Sequence, residues 1–130
     1  VIVDTLGMVL KAFVTEANYP DREVASWLIP SLPKRFGRLK KLWADGSYRG
    51  EEFIDEMRER TGITVEIVER DPSVKGFQLV PYRWVVERTF AWLSGYRRFS
   101  RDYEFLVQTS DAMIYAAMVH LMLRRLAPNR

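Results

Sequence analysis

Residues 42–50 read Leu-Trp-Ala-Asp-Gly-Ser-Tyr-Arg-Gly (LWADGSYRG). Leu39 to Ala44 reads as a strand whose apolar end, Leu42 to Ala44, looks buried, yet it ends on Asp45 with Gly46 and Ser47 directly behind it. The fold depends on what flanks that strand. Gly50 to Arg60 follows as a helix with Phe53, Ile54 and Met57 on one face, closed by Thr61-Gly62. Ile63 to Val68 then alternates apolar and polar residues, as a half-buried strand near a sheet edge does. Strands alternating with helices in this way imply a sheet with helices packed against its faces.

Working outward, Val1 to Thr5 and Met8 to Thr15 are β-rich and are joined by Leu6-Gly7, which predicts an antiparallel hairpin. Pro20-Asp21 opens a short helix over Arg22 to Ile29, with Asp21 as its N-cap and Pro30 and Pro33 as its stops. Lys34, Arg35, Arg38, Lys40 and Lys41 form a basic connector, either a solvated loop or a phosphate contact. Residues 70–81 read as a loop, with Asp71-Pro72, Gly76 and Pro81. Tyr82 to Tyr96 is helical, and Ala112 to Leu126 is helical and apolar nearly all round, which predicts a buried last helix capped by Thr109, Ser110 and Asp111. The predicted fold class is therefore α/β: a mixed sheet with flanking helices. Ligands of open sheets gather at the carboxyl ends of strands, where Asp45 falls.

At 130 residues, 48% hydrophobic and 28% charged, the chain suits one domain with a real core. It has no cysteine and one histidine, which excludes disulfides, thiolate catalysis and Cys/His zinc sites. Any metal must be held by oxygen, which points to magnesium, manganese or calcium. The net charge of +3 is mildly basic. VIVDTLGMVL lacks the charged start of a signal peptide, and Ala112 to Leu123 is too short to span a bilayer. A soluble cytoplasmic protein without membrane contact is expected. The chain opens on Val1 within a strand pattern, so the reading expects a fragment with further sequence upstream.

The second informative stretch is RWVVERTFAWLSGYRRF, residues 83–99. On a helix, Val85, Val86, Thr89, Phe90, Trp92 and Leu93 share a broad arc, with Glu87 and Arg83 at its border. Arg88, Arg97, Arg98 and Arg101 add guanidinium groups nearby. An acid at a strand end, another on a later helix and arginines around it are suitable parts for metal-assisted phosphoryl transfer on nucleic acid. Paired hard cations need carboxylates from different elements, and arginines hold phosphates. Gly46 and Ser47 would leave room for metal and DNA.

VDTLGMVLKAFVTEANYPDRE, LWADGSYRGEEF and YRWVVERTFAWLSGYRRFSRDYE together resemble bacterial insertion-sequence transposases of the DDE class, most closely the insertion-sequence-five group. The resemblance covers essentially the whole chain. It implies a ribonuclease-H-like fold and a two-metal site, using Mg²⁺ with Mn²⁺ as a substitute, that cuts DNA at element ends and joins the 3′ hydroxyl to a target. On this resemblance Asp45 is the second acid and metal ligand, Glu87 the final glutamate and metal ligand, and Arg83 the arginine preceding that glutamate. Arg88, Arg97, Arg98 and Arg101 are the expected DNA-backbone contacts, and a homo-oligomer on nucleoid DNA is the expected assembly. Residues 1–130 are expected to be a single, partial catalytic domain.

Two departures from the family pattern stand out. Its tyrosine three residues before the arginine and its basic residue seven after the glutamate are Val80 and Ser94 here, with Tyr82 and Arg97 or Arg98 as loose substitutes. The strand carrying the family's first acid lies upstream of the hairpin and is missing from this sequence, leaving Asp4 as the rival for that role. A catalytically incomplete DNA-binding remnant of a split or decayed transposase is the alternative, and an oligomerisation module built on the last helix is a third reading. Judged singly, Asp45 is a helix cap and Glu87 a partner for Arg83 in an i, i+4 pair. Trp43, Trp84, Phe90 and Trp92 are expected in the core, and His120 is expected to pack without a catalytic role.

Overall fold

Glycine at position 7 lets the first strands reverse. β1 (Ile2–Val3) pairs antiparallel with β2 (Val9–Lys11), Val3 facing Val9 and Ile2 facing Lys11 across an irregular step. Gly7 takes φ +82°, a left-handed conformation that side chains other than glycine disfavour. The structure is a computed structural model that describes residues 1–15, 18–76, 78, 80–99 and 106–127. The chain divides into two units, residues 1–15 with 84–130, and residues 16–83.

In the first unit the hairpin is accompanied by α4 (Arg83–Ser94, of which Arg83 belongs to the second unit), a 3₁₀ turn at Arg97–Phe99 and α5 (Val107–Leu126). Its core gathers Ala12, Leu93, Ile114, Ala117 and Met118, edged by Val9, Val14, Tyr96, Phe99, Tyr115 and Leu121. The residues after β2 bond to a helix: Asp111 Oδ1 accepts from the Val14 N–H at 2.7 Å, and Tyr115 Oη from the Ala12 N–H at 2.9 Å. Two side chains one turn apart on α5 thereby satisfy backbone donors that would otherwise be open to stray strand pairing.

Three expectations fail here. The last helix is not buried all round: Ile114, Ala117 and Met118 are buried, but Val119, Leu123 and Leu126 are exposed. Twenty residues of helix extend about 30 Å, more than a short hairpin and one three-turn helix can cover. Thr109, Ser110 and Asp111 do not cap it either: the helix starts earlier, with Leu106 as an N-cap that makes no side-chain bond, so all three lie inside it, and the Asp111 carboxylate accepts from Val14 instead. On α4 the buried stripe is Val85, Thr89 and Leu93, while Trp84 and Phe90 are exposed rather than core.

In the second unit, α1 (Asp21–Leu28) leads through a 3₁₀ turn at Ile29–Ser31 into α2 (Leu32–Arg35). Asp21 is not the N-cap. That position is Pro20, and Asp21 joins Glu23 in the first turn, where negative charge favours the helix dipole. Pro30 and Pro33 do not stop the helix. Each sits in the first turn of a new helical piece, where a missing N–H costs no bond.

β3 (Lys41–Ala44), α3 (Glu51–Thr61) and β4 (Thr64–Ile67) then form a crossover unit, with β3 parallel to β4 and Ala44 opposite Ile67. Gly62 closes α3 at φ +70°. Phe53, Met57, Ile63 and Val65 are buried, as are Ala25, Leu28, Ile29 and Leu32 of the same unit. β3 is less buried than its apolar run implies, because Lys41 and Trp43 point away from this core. Trp43 is 37% exposed and stacks on Tyr82, ring centroids 4.0 Å apart. Among the described residues the strands form an antiparallel pair and a separate parallel pair, where one mixed sheet was expected. No helix among them is long and apolar enough to cross a membrane.

Candidate active site

Parallel strands bring their carboxyl ends together, and β3 and β4 do so at Asp45. The Val68 N–H donates to the Ala44 carbonyl at 2.7 Å, so the two chains leave the pair side by side. Asp45 is exposed and in extended conformation, and it caps the 3₁₀ turn Gly46–Tyr48. Its Oδ1 accepts from the Ser47 N–H at 3.0 Å and from Ser47 Oγ at 2.5 Å. Both bonds fall on one oxygen, which leaves Oδ2 for another ligand. The cap belongs to this short turn and not to α3, whose N-cap is Gly50.

The small residues behind Asp45 serve the loop itself. A Cβ on Gly46 would stand 2.6 Å from Glu69 Oε1 and 2.9 Å from Arg49 Nη2. Arg49 Nη2 lies 3.1 Å from Glu69 Oε1, and Arg49 Nε donates to the Gly46 carbonyl at 3.0 Å. Glu69 and Arg49 are absent from the expected site. The signal for Glu69 was the strand register, since a partner for Ile67 at Ala44 sets Glu69 beside Gly46. Tyr48, at the end of the turn, has its phenol pushed above the usual value by burial first, then by the charges of Asp21 and Asp45.

Glu87 and Arg83 both lie on exposed parts of α4, one turn apart. Arg97 and Arg98 are exposed in the following 3₁₀ turn. Glu87 belongs to the first unit, Asp45 and Arg83 to the second. Arg88 is half-buried and packs on two indoles. Its guanidinium carbon lies 4.5 Å from the Trp84 ring centre and 4.8 Å from that of Trp92, and its Nε is buried with no hydrogen-bond partner among the described residues. Arg125 stacks on Trp92 at 4.3 Å, extending the ladder. Arg101 lies outside the described residues. His120 is an edge residue, exposed, with Nδ1 3.1 Å from Tyr96 Oη.

Asp4 is engaged elsewhere. Its Oδ1 accepts from the backbone N–H groups of Leu6 and Met8, both at 2.8 Å, so the carboxylate stabilises its own hairpin turn. Among the described residues no three acidic or histidine side chains come together as a ready metal site. The available donors are oxygens, which fit a hard divalent cation in kind; Asp45 and Glu87 by themselves do not make up its usual ligand number.

Residues 1–122 match the family model described as "Transposase DDE domain". The chain is 35% identical over 111 residues to a protein of Burkholderia cepacia described as "Putative transposase for insertion sequence element IS402", an alignment covering 80% of this chain and 52% of that one. The chain thus spans about half the length of that curated relative. No solved structure matches.

Proposed function

The chain belongs to the DDE transposase family, and from that premise we propose that it is part of the catalytic domain of an insertion-sequence transposase, cutting and rejoining DNA with a divalent cation. The observation that carries this reading is the place of Asp45: a solvent-facing carboxylate at the shared carboxyl end of a parallel pair, inside a family match that also takes in Glu87. Asp45 and Glu87 are the proposed metal ligands and Arg83 holds Glu87 or the scissile phosphate. Arg97 and Arg98, with Arg101, hold the DNA backbone, whereas Arg88 is engaged with its tryptophans. Mg²⁺, replaceable by Mn²⁺, would supply charge stabilisation for an in-line displacement at phosphorus when bound.

The finer fold in this proposal is ribonuclease-H-like, a single catalytic domain of the insertion-sequence-five group to which an upstream strand adds the first acid. The protein would work as a homo-oligomer on DNA in the bacterial cytoplasm. One alternative is a DNA-binding remnant that cannot cut unless the upstream strand is supplied; what favours it is that no three acidic or histidine side chains come together among the described residues.

The test is Mn²⁺-dependent nicking of a plasmid bearing the parent element, with the upstream segment present. The parent chain is expected to nick, while Asp45→Ala and Glu87→Ala are expected to bind DNA and lose nicking. Equal nicking by all three overturns the assignment, and no nicking by the parent supports the remnant.

A further inference from the structure

Arg49 touches three parts of the second unit at once. Its Nε donates to the Gly46 carbonyl at 3.0 Å, closing the turn behind Asp45 on itself. Its Nη2 lies 3.1 Å from Glu69 Oε1, tying that turn to the segment leaving β4. Its own carbonyl accepts from Arg22 Nη1 at 3.1 Å, tying the same loop to the first turn of α1. Gly46 gives the guanidinium and the Glu69 carboxylate their space, since a Cβ there would stand 2.6 Å from the carboxylate oxygen. Gly46 is not among the glycines with positive φ, so a Cβ here would leave the backbone as it is and displace the ends of the Glu69 and Arg49 side chains.

The ion pair is too exposed to matter much for stability, with 72% of the Arg49 side chain and 39% of that of Glu69 open to solvent. Its consequence is geometric. We propose that Arg49 and Glu69 are positioning residues for the Asp45 carboxylate. The guanidinium fork holds the 46–48 turn against the end of β4, Ser47 in that turn holds Asp45 Oδ1, and Oδ2 is thereby presented in one direction. A ligand oxygen fixed by its supporting contacts binds a cation without first being ordered. This inference rests on the reading of Asp45 as a metal ligand.

The test uses the full-length protein with Arg49→Gln, Glu69→Gln, the double variant and Gly46→Ala, measuring nicking against Mn²⁺ concentration, DNA affinity and melting temperature. Each single variant is expected to need about 10–100-fold more Mn²⁺ for half-maximal nicking, with DNA affinity and melting unchanged. The double variant should be no worse than the poorer single, because both act through one contact. Gly46→Ala keeps both charges and the backbone conformation, so it reports the displaced pair even if Arg49→Gln melts early. Parent-like Mn²⁺ dependence in Arg49→Gln and Glu69→Gln overturns the proposal. So do multiplying effects in the double variant, which would make Glu69 a ligand in its own right. Asp45→Ala runs alongside: if it nicks like the parent, the metal-ligand reading has failed, and the positioning role falls with it for that separate reason.

Discussion

The Thr89 hydroxyl, fully buried in α4, donates to the Gly7 carbonyl 2.8 Å away and 82 positions earlier in the chain. The same Oγ1 lies 3.0 Å from the Val85 carbonyl, so one proton is shared between the helix and the hairpin turn. Gly7 answers with its missing side chain, since a Cβ there would stand 2.9 Å from both Thr89 Oγ1 and Trp92 Cζ3. Thr89→Val leaves a carbonyl unsatisfied in a dry place and is expected to cost about 1–3 kcal/mol, with Thr89→Ser milder. Gly7→Ala is expected to cost at least as much, because strain at positive φ alone is worth about 1–3 kcal/mol. Urea unfolding of each variant checks both figures, and a loss smaller for Gly7→Ala than for Thr89→Val would contradict the packing argument.

Asp4 offers a separation of roles. If its carboxylate serves only the turn, Asp4→Asn keeps the accepting oxygen for Leu6 and Met8 and should leave both stability and Mn²⁺-dependent nicking near the parent. Asp4→Ala should lower stability by about 1–3 kcal/mol because both charge-assisted bonds disappear, again with the metal requirement unchanged in the folded fraction. A raised Mn²⁺ requirement in Asp4→Asn would restore Asp4 as a candidate first acid.

The hairpin and the strand, helix and strand around Asp45 were legible because their signals are local: Gly7 at a turn, Gly62 at a helix end, alternating apolar residues at 63–68. Asp45 was legible for the same reason, as an acid closing an apolar run. What escaped the sequence was decided by distant partners. Periodicity shows that α5 is apolar, not how much of it a small hairpin can cover, so the exposure of Leu123 and Leu126 was hidden. Asp111 looks like a cap in sequence, but α5 starts at Val107, which puts Asp111 inside the helix, where its carboxylate accepts from the distant Val14 N–H. Glu69 became visible beside Gly46 only once the register of β4 against β3 was known. The spacing of Trp84, Arg88 and Trp92, each one turn from the next, is a readable sign of cation–π stacking in the sequence.

That stacking separates the arginines of this region into two kinds. Arg97 and Arg98 are exposed, whereas Arg88 lies between two indoles. Replacing Arg97 or Arg98 by Ala should weaken DNA binding and reduce the slope of log affinity against log salt by about 0.9 for each phosphate no longer neutralised. Arg88→Ala should leave that slope unchanged and instead lower stability by about 1–2 kcal/mol, the scale of a partly desolvated cation–π interaction. Fluorescence anisotropy across a salt series, paired with urea unfolding, gives both numbers. A slope change in Arg88→Ala would return it to the DNA face.

Tyr48 carries a pH signature of the Asp45 turn. Burial, then the charges of Asp21 and Asp45, hold its phenol above the ordinary tyrosine value near 10. The native state therefore keeps the proton more tightly than the unfolded chain does. The sign follows: the contribution to stability is complete below the unfolded value near 10 and is lost as the pH rises from there through the higher native value. Absorbance titration of tyrosinate should show one phenol ionising late, the late step missing in Tyr48→Phe and shifted down in Asp21→Asn. Unfolding measured from pH 8 to 11 should show an alkaline loss of stability that Tyr48→Phe lacks. A Tyr48→Phe protein with the parent's full alkaline profile would mean that the phenol is not held between those acids, and that the turn after Asp45 is arranged differently.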